Sequence, residues 1–210
     1  MIVSFARKFV FVAIPKTATH AVRVALRPSL GPHDWEQCGL FEKKQFPIEP
    51  LARIGHGHLT CQELRPFLVP GLWEQLFTFC TVRNPYARLV SYVHFHHRGN
   101  PAWSRDPLGL LKRTLTAPPN RWTLPQARYV TDADGTPLVD YIARYETLQD
   151  HFDVICRRVG LPLSGLTSVN ASHPPPYGDC YDAELRDMVR EAYADDFRLF
   201  GYSTDLNPGR

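Results

Sequence analysis

The chain lacks any apolar run that approaches the length of a transmembrane helix, which excludes a protein anchored by such a span. It also lacks an excess of one charge, because 24 basic and 21 acidic residues leave a formal net charge of +3. So small a charge does not favour a nucleic-acid-binding protein, although it is compatible with an anionic substrate. An apolar strand candidate begins as early as Phe9, which leaves no room for a signal peptide, so we expect a cytoplasmic protein.

Three kinds of motif are also missing. Without Gly-x-x-x-x-Gly-Lys-[Ser/Thr], a plain ATP or GTP site is disfavoured. Without Cys-x-x-Cys or His-Glu-x-x-His, zinc ligation would have to come from scattered histidines, so we predict no metal site; the candidates are His56, His58, His94, His96 and His97. The cysteines are odd in number and show no paired spacing, which favours reduced thiols over disulfides; they are Cys38, Cys61, Cys80, Cys156 and Cys180.

The composition that remains is ordinary for a globular enzyme. The 210 residues are 44% hydrophobic and 21% charged, enough for one domain with a substantial core. No internal repeat, low-complexity tract or second domain is visible, so we predict a single domain over residues 1–210.

The most informative segment runs from residue 9 to residue 26. Phe9 to Ile14 is a short, β-branched apolar run typical of a buried strand, and Pro15 ends it. A turn over residues 16–20 follows, and helical apolar spacing begins at Thr19 and stops before Pro28. This arrangement predicts an anion site: a strand is followed by a turn with a lysine and two hydroxyls, and then by the start of a helix. The first helical N–H groups lack partners, and the helix dipole is positive there.

A second strand-to-helix junction lies at residues 76–95. Leu76 to Val82 is a further buried-strand candidate, Asn84 is a plausible N-cap and Pro85 suits the first helical position. Arg83 stands at the strand's carboxyl end, where ligands collect in open α/β sheets, and Ser91 lies about two turns into the helix. This junction therefore also predicts an anion site, with a guanidinium fork suited to phosphate.

A third constellation, Gly55-His56-Gly57-His58, precedes a capping box made by Thr60 and Glu63. Histidine suits general-base work because its ordinary pKa lies nearest neutrality. The flanking glycines allow close approach of the backbone to a ligand. A polar glycine-rich loop with two exposed imidazoles is the alternative interpretation.

Together these blocks resemble the sulfotransferases that use 3′-phosphoadenosine 5′-phosphosulfate (PAPS). Pro-Lys-Thr-Ala-Thr resembles their 5′-phosphosulfate loop, with Ala18 in place of glycine, and Arg-x-Pro-x-x-Arg-x-x-Ser-x-Tyr resembles their 3′-phosphate motif. The resemblance implies a single α/β domain with a central, mostly parallel sheet flanked by helices and a P-loop-like nucleotide site. It assigns PAPS binding to Lys16, Thr17, Ala18, Thr19, His20, Arg83 and Ser91.

His-Gly-His resembles the catalytic segment of uronosyl 2-O-sulfotransferases, which implies His58 as the base, His56 as its helper and Lys16 on the leaving group. Some heparan-type relatives use a glutamate after the first helix, so Glu36 is the alternative base. The resemblance also suggests a loop before the last helix that touches the nucleotide, with Ser172 and Tyr177 as contacts or, equally, as parts of a rigid connector.

The implied reaction is transfer of a sulfuryl group from PAPS to a hydroxyl group, and we expect a saccharide as the acceptor. The second product is 3′,5′-adenosine bisphosphate (PAP). Two other classes stay open: a small-molecule kinase, and a non-catalytic nucleotide- or glycan-binding protein. The ending Tyr-x-x-Asp-Phe-x-x-Phe-Gly-Tyr over residues 193–202 resembles carbohydrate sulfotransferases as well, and we interpret it as packing.

Overall fold

Contacts within the chain separate two units. The structure, a computed structural model, describes residues 1–40, 42–167 and 176–206. The sheet unit comprises Met1–Val82 and Arg128–Val169, and the helical unit comprises Arg83–Ala127 and Asn170–Arg210. That the two constitute the single domain expected from the sequence stays a prediction.

The described part of the sheet unit contains five strands: β1 (Ile2–Ser4), β2 (Phe9–Val12), β3 (Trp35–Glu36), β4 (Phe77–Val82) and β5 (Tyr141–Arg144). They form one sheet of order β3-β1-β2-β4-β5. β2 pairs with β4 and β4 with β5 in parallel, whereas β1 pairs antiparallel with both β2 and β3. The predicted α/β class is confirmed, and parallel pairing holds for the core of the sheet, while the antiparallel strands on one side make the sheet mixed.

The central strands are apolar because both faces of the sheet are covered. Every residue of β2 is buried, and Phe11 stacks on Phe79 of β4 with ring centroids 5.3 Å apart. The register sets Val12 beside Cys80, so β4 continues past the end of β2. The turn that follows β2 therefore lies next to the last residues of β4.

Helices cover the sheet with apolar side chains. The predicted helix at Thr19 is confirmed as α1, which ends at Leu26 before Pro28. The apolar core of the sheet includes Val22 and Leu26 of α1. It also includes Phe152 and Ile155 of α8 (Leu148–Arg158). The helices are α1 (Thr19–Leu26), α2 (Glu49–Ala52), α3 (Cys61–Leu64), α7 (Ala127–Val130, at the boundary of the units in the chain) and α8 (Leu148–Arg158), with 3₁₀ turns at Arg27–Ser29, Arg65–Phe67, Trp73–Gln75 and Tyr145–Thr147.

The helical unit is built on α4, whose start matches the sequence prediction. Asn84 caps it by accepting from the N–H of Tyr86 at 2.9 Å, and Pro85 is its first residue. Its apolar face packs with α9 and α10 around Tyr86, Leu89 and Val189. The helices are α4 (Pro85–His96), α5 (Ala102–Arg105), α6 (Pro107–Thr116), α9 (Ala183–Ala192) and α10 (Ala194–Phe200), with a 3₁₀ turn at Tyr177–Cys180. None of the helices in the described ranges has the length and apolar character needed to cross a membrane.

Candidate functional site

The turn between β2 and α1 has an unusual backbone. Lys16 and Ala18 both have positive φ, at 68° and 64°, and Ala18 is the N-cap of α1 without a side-chain cap. Left-handed residues that alternate with right-handed ones turn successive N–H groups to one side and form a concave anion-binding nest. The first N–H groups of α1 add to it, since they have no carbonyl partner within the helix. The positive φ values of Lys16 and Ala18 are compatible with a nest, and the anion site expected from the sequence stays a prediction.

Replacing Ala18 with glycine is expected to stabilise the sheet unit. Alanine in the left-handed region costs about 1 kcal/mol, and glycine relieves this strain at a smaller cost in the entropy of the unfolded chain. We expect the free energy of unfolding to rise by about 0.5–1 kcal/mol in urea denaturation. Ala25→Gly, inside α1, is the matched control and should lower it by about 1 kcal/mol. A destabilised Ala18→Gly variant would contradict the left-handed conformation of Ala18.

Thr17 contributes to this turn differently from the prediction. Its hydroxyl is buried, donates to the carbonyl of Ile14 at 2.9 Å and lies 2.7 Å from the hydroxyl of Thr81 in β4. Thr17 can therefore offer a ligand only its backbone N–H, and its side chain instead fastens the turn to β4. The hydroxyl of Thr19 makes no hydrogen bond with any residue that the structure describes, and its role as a donor to a ligand stays a prediction.

His58 lies at the same end of β2. Its Nδ1 is 2.7 Å from the carbonyl oxygen of Ala13, the residue that follows β2. Because a carbonyl can only accept, Nδ1 carries the hydrogen, and in the neutral ring Nε2 is left with its lone pair. Within the described chain, Nε2 of His58 has no hydrogen-bond partner. The hydrogen bond to Ala13 thus leaves Nε2 as the proton-accepting nitrogen of the neutral ring.

The charge state of His58 is fixed by its surroundings. Burial lowers the pKa of His58 to about 3, and the charges of the Met1 α-amino group, Arg23 and His56 act in the same direction, against the hydrogen bond to Ala13. The ring is therefore neutral throughout the physiological range, because its pKa in the ligand-free protein lies far below the ordinary histidine value of ~6.5. Bound anions would raise the pKa, since an opposite charge favours the protonated ring.

His56 orders the same loop. Its Nδ1 accepts from the backbone N–H of His58 at 3.2 Å, so the hydrogen of its neutral ring is on Nε2. Nε2 of His56 is therefore a hydrogen-bond donor, whereas Nε2 of His58 is an acceptor. Gln37 donates to the carbonyl of His56 at 3.0 Å. A Cβ on Gly57 would stand 1.9 Å from the Gln37 carbonyl oxygen. Gly57 is therefore required by close packing against Gln37, and not by approach to a ligand as the sequence suggested.

Glu36, the alternative base, is committed to ion pairs. Arg27 donates to both of its carboxylate oxygens, at 3.1 and 2.8 Å, Lys44 donates at 3.0 Å and the Nε of Arg23 lies 3.8 Å away. Burial raises the pKa of Glu36, but these hydrogen bonds and charges outweigh it and lower the pKa overall. A carboxylate held by three cations is a poor proton acceptor, so Glu36 is a structural ion-pair residue.

His20 belongs to the first turn of α1 and is partly buried. Burial lowers its pKa, and the charges of Arg23 and Arg27 lower it further. A neutral imidazole at this place can act on a ligand only through hydrogen bonds, together with the backbone N–H of the residue.

The helical unit carries the predicted 3′-phosphate residues. Arg83 is partly exposed and immediately precedes the N-cap Asn84, and Ser91 is a buried residue of α4, 4% exposed. The Ser91 hydroxyl forms no hydrogen bond to the described residues. Arg88 is different: it is buried, donates to the Trp122 carbonyl at 3.1 Å and is therefore a structural residue.

The remaining predicted contacts are less informative. Ser172 lies outside the described residues, and Tyr177 packs against the apolar core of the helical unit.

His94, His96 and His97 lie at the end of α4, where His94 contacts Trp103. In the described ranges, no group of three or more His, Cys, Asp or Glu side chains is arranged to hold a metal ion. All five cysteines are buried free thiols.

Comparison with known proteins yields no match to this chain among family models, curated proteins or solved structures. The function must therefore be argued from the residues and their geometry.

Proposed function

We propose that the chain is a PAPS-dependent sulfotransferase that moves the sulfuryl group to a hydroxyl of a saccharide. One observation carries the proposal: the positive-φ turn that starts α1 follows the carboxyl end of β2, and the neutral ring of His58 is hydrogen-bonded to Ala13 at that same end. Open α/β sheets bind ligands at this edge. A nest and a lysine suit binding of the phosphosulfate group, and an oriented imidazole suits deprotonation of an acceptor hydroxyl. The sheet unit therefore contains candidate residues for both steps of the reaction.

The proton of the acceptor hydroxyl is proposed to pass to Nε2 of His58. The hydroxyl oxygen attacks sulfur as its O–H bond breaks, and the hydrogen bond from Nδ1 to Ala13 stabilises the charged ring that forms. Binding of the anionic nucleotide raises the basicity of the imidazole, which is low in the free protein, and thereby makes the base active when the donor is present. His56, with its Nε2–H, is proposed to orient the acceptor.

The bond between sulfur and the bridging phosphate oxygen breaks in the same displacement, and PAP leaves. Lys16 and the backbone N–H groups of residues 17–20 are proposed to stabilise the negative charge on that oxygen and on the sulfonyl oxygens. Because positioning and electrostatics supply most of the catalysis in the related phosphoryl transfers, the pre-formed turn is the main catalytic device.

Arg83 and Ser91 are proposed to bind the 3′-phosphate and so to select PAP and PAPS over nucleotides without it. The partial exposure of Arg83 supports it, and so does the Ser91 hydroxyl, which forms no hydrogen bond to the residues that the structure describes. Ala18, the departure from the family loop, does not favour the non-catalytic alternative, since the residue adopts the left-handed conformation that glycine would supply.

Arg83→Ala is expected to weaken PAP binding selectively. Loss of a charge-assisted contact costs about 1.5–3 kcal/mol, which lowers the ratio of PAP to 5′-AMP affinity by about 10- to 150-fold. Titration calorimetry with both ligands measures the ratio. Arg105→Ala, an exposed arginine at the end of α5, removes the same charge and should leave the ratio unchanged.

An unchanged ratio in Arg83→Ala would remove Arg83 from the 3′-phosphate site. The same titrations with ATP address the kinase alternative, because a kinase would bind ATP in preference to PAP. A sulfotransferase should show the opposite order.

A further inference from the structure

The side chain of Gln126 is paired with the backbone of Arg83. The N–H of Arg83 donates to Oε1 of Gln126, and Nε2 of Gln126 donates to the Arg83 carbonyl, both at 2.8 Å. Gln126 is fully buried. Two hydrogen bonds exchanged between one amide and one residue reproduce the pairing of antiparallel strands. The Arg83 backbone therefore cannot shift without breaking both bonds.

Asp196 fixes the orientation of that amide. Its Oδ2 accepts from the backbone N–H of Gln126 at 2.9 Å and from Nε2 at 3.1 Å, and its Oδ1 accepts from the N–H of Ala127 at 2.8 Å. A flipped amide would point Oε1 at a carboxylate and at a carbonyl, two acceptors, so only the observed orientation is stable. Asp196, also fully buried, thus holds Gln126 in the state that binds Arg83.

Arg88 completes this buried group. Its Cζ lies 5.9 Å from the ring centre of Tyr193. Burial raises the pKa of the Asp196 carboxyl, and the charge of Arg88 and the N–H donors oppose that rise. A buried carboxylate with a nearby cation and three donors is a costly arrangement that an apolar core would not need. Through Gln126 this buried group is hydrogen-bonded to the backbone of Arg83, which is itself only partly buried.

We propose that Gln126 and Asp196 are positioning residues that fix Arg83 and thereby set the selectivity for the 3′-phosphate. The inference rests on the proposed function of Arg83. A bidentate guanidinium contact requires placement within about 0.5 Å, so the backbone that carries the arginine must be held by a rigid network.

Gln126→Met tests the inference, because methionine keeps the volume and removes both hydrogen bonds to Arg83. We expect the ratio of PAP to 5′-AMP affinity to fall roughly three- to tenfold while AMP affinity is retained. The ratio does not depend on the folded fraction, since both nucleotides bind only the folded chain. Thr123→Val, a control in the same segment, removes a buried hydroxyl whose hydrogen bonds among the described residues all go to Asn120, and it should leave the ratio unchanged.

The double variant gives a sharper result. If Gln126 acts through Arg83, then Gln126→Met should lower the ratio no further once Arg83→Ala is present. A full additional loss would overturn the positioning role, and so would an unchanged ratio in Gln126→Met alone. A wild-type chain that does not prefer PAP to AMP, or in which Arg83→Ala leaves the ratio unchanged, would instead refute the proposed function.

A measurement on the unaltered chain keeps the inference testable if Gln126→Met fails to fold. In ¹⁵N spectra, PAP should shift the signals of the Gln126 side-chain NH₂ and the Arg83 N–H more than AMP does, because only PAP engages Arg83. Equal shifts with the two nucleotides would overturn the inference.

Discussion

His58→Asn is expected to lower turnover by roughly 10²–10⁴-fold, the usual contribution of a general base, while PAP affinity stays nearly unchanged. Asparagine has an N–H that can replace Nδ1–H as donor to Ala13, but it has no basic nitrogen. The variant therefore separates proton transfer from the architecture of the loop. Single-turnover rates at saturating PAPS measure the chemical step, and calorimetry with PAP measures binding.

His33→Ala, at an exposed position of the sheet unit, is the matched control and should retain full turnover. The protonation state of His58 gives a second readout. In the free protein the ring should stay neutral between pH 5 and 8, since its pKa lies at about 3. Ring ¹⁵N shifts follow this directly, and His58→Asn assigns the signal. A ring that protonates near pH 6.5 would contradict the buried, neutral base, and undiminished turnover in His58→Asn would remove it from the mechanism.

Lys16→Ala is expected to lower turnover by about 10²–10³-fold, with a smaller loss of PAP affinity. Its charge is proposed to act on the oxygen that becomes negative as the sulfur–oxygen bond breaks, an interaction stronger in the transition state than in the ground state. The turnover number and the Michaelis constant for PAPS distinguish the two effects.

Lys8→Ala provides a closely matched control. Lys8 also has positive φ, at 54°, and immediately precedes β2, at the opposite end from Lys16. The substitution removes the same charge and leaves the same kind of positive-φ backbone in place, so it reports any general effect of the lost charge. A Lys16→Ala variant with normal turnover and only a raised Michaelis constant would mean that Lys16 binds the donor without assisting the displacement.

The sequence predicted the elements that local chemistry determines. Helix α1 follows from its apolar spacing and from Pro28, α4 from its Asn84 cap, and α3 from the Thr60–Glu63 capping box, in which Glu63 Oε2 accepts from the Thr60 N–H at 2.7 Å. Each of these signals involves residues within one helix turn of one another. The two strands that pair antiparallel, β1 of three residues and β3 of two, are too short for periodicity to reveal.

Contacts between distant segments were not predictable in the same way. The inward hydroxyl of Thr17 depends on Thr81, and the tautomer of His58 depends on Ala13, each far away in the chain. Asp196 and Gln126 are 70 residues apart. The sequence did contain one indication of this contact, namely Asp196 within the aromatic ending over residues 193–202. A carboxylate on an apolar helix face requires buried hydrogen-bond donors.

The most direct test of the central claim is transfer of labelled sulfate from PAPS to a panel of saccharides with free hydroxyl groups. The account predicts label in at least one saccharide, with stoichiometric release of PAP, and loss of both products in His58→Asn and Lys16→Ala. Label that stays in PAPS across the panel while PAP binds tightly would contradict the account and identify a nucleotide-binding protein without transferase activity.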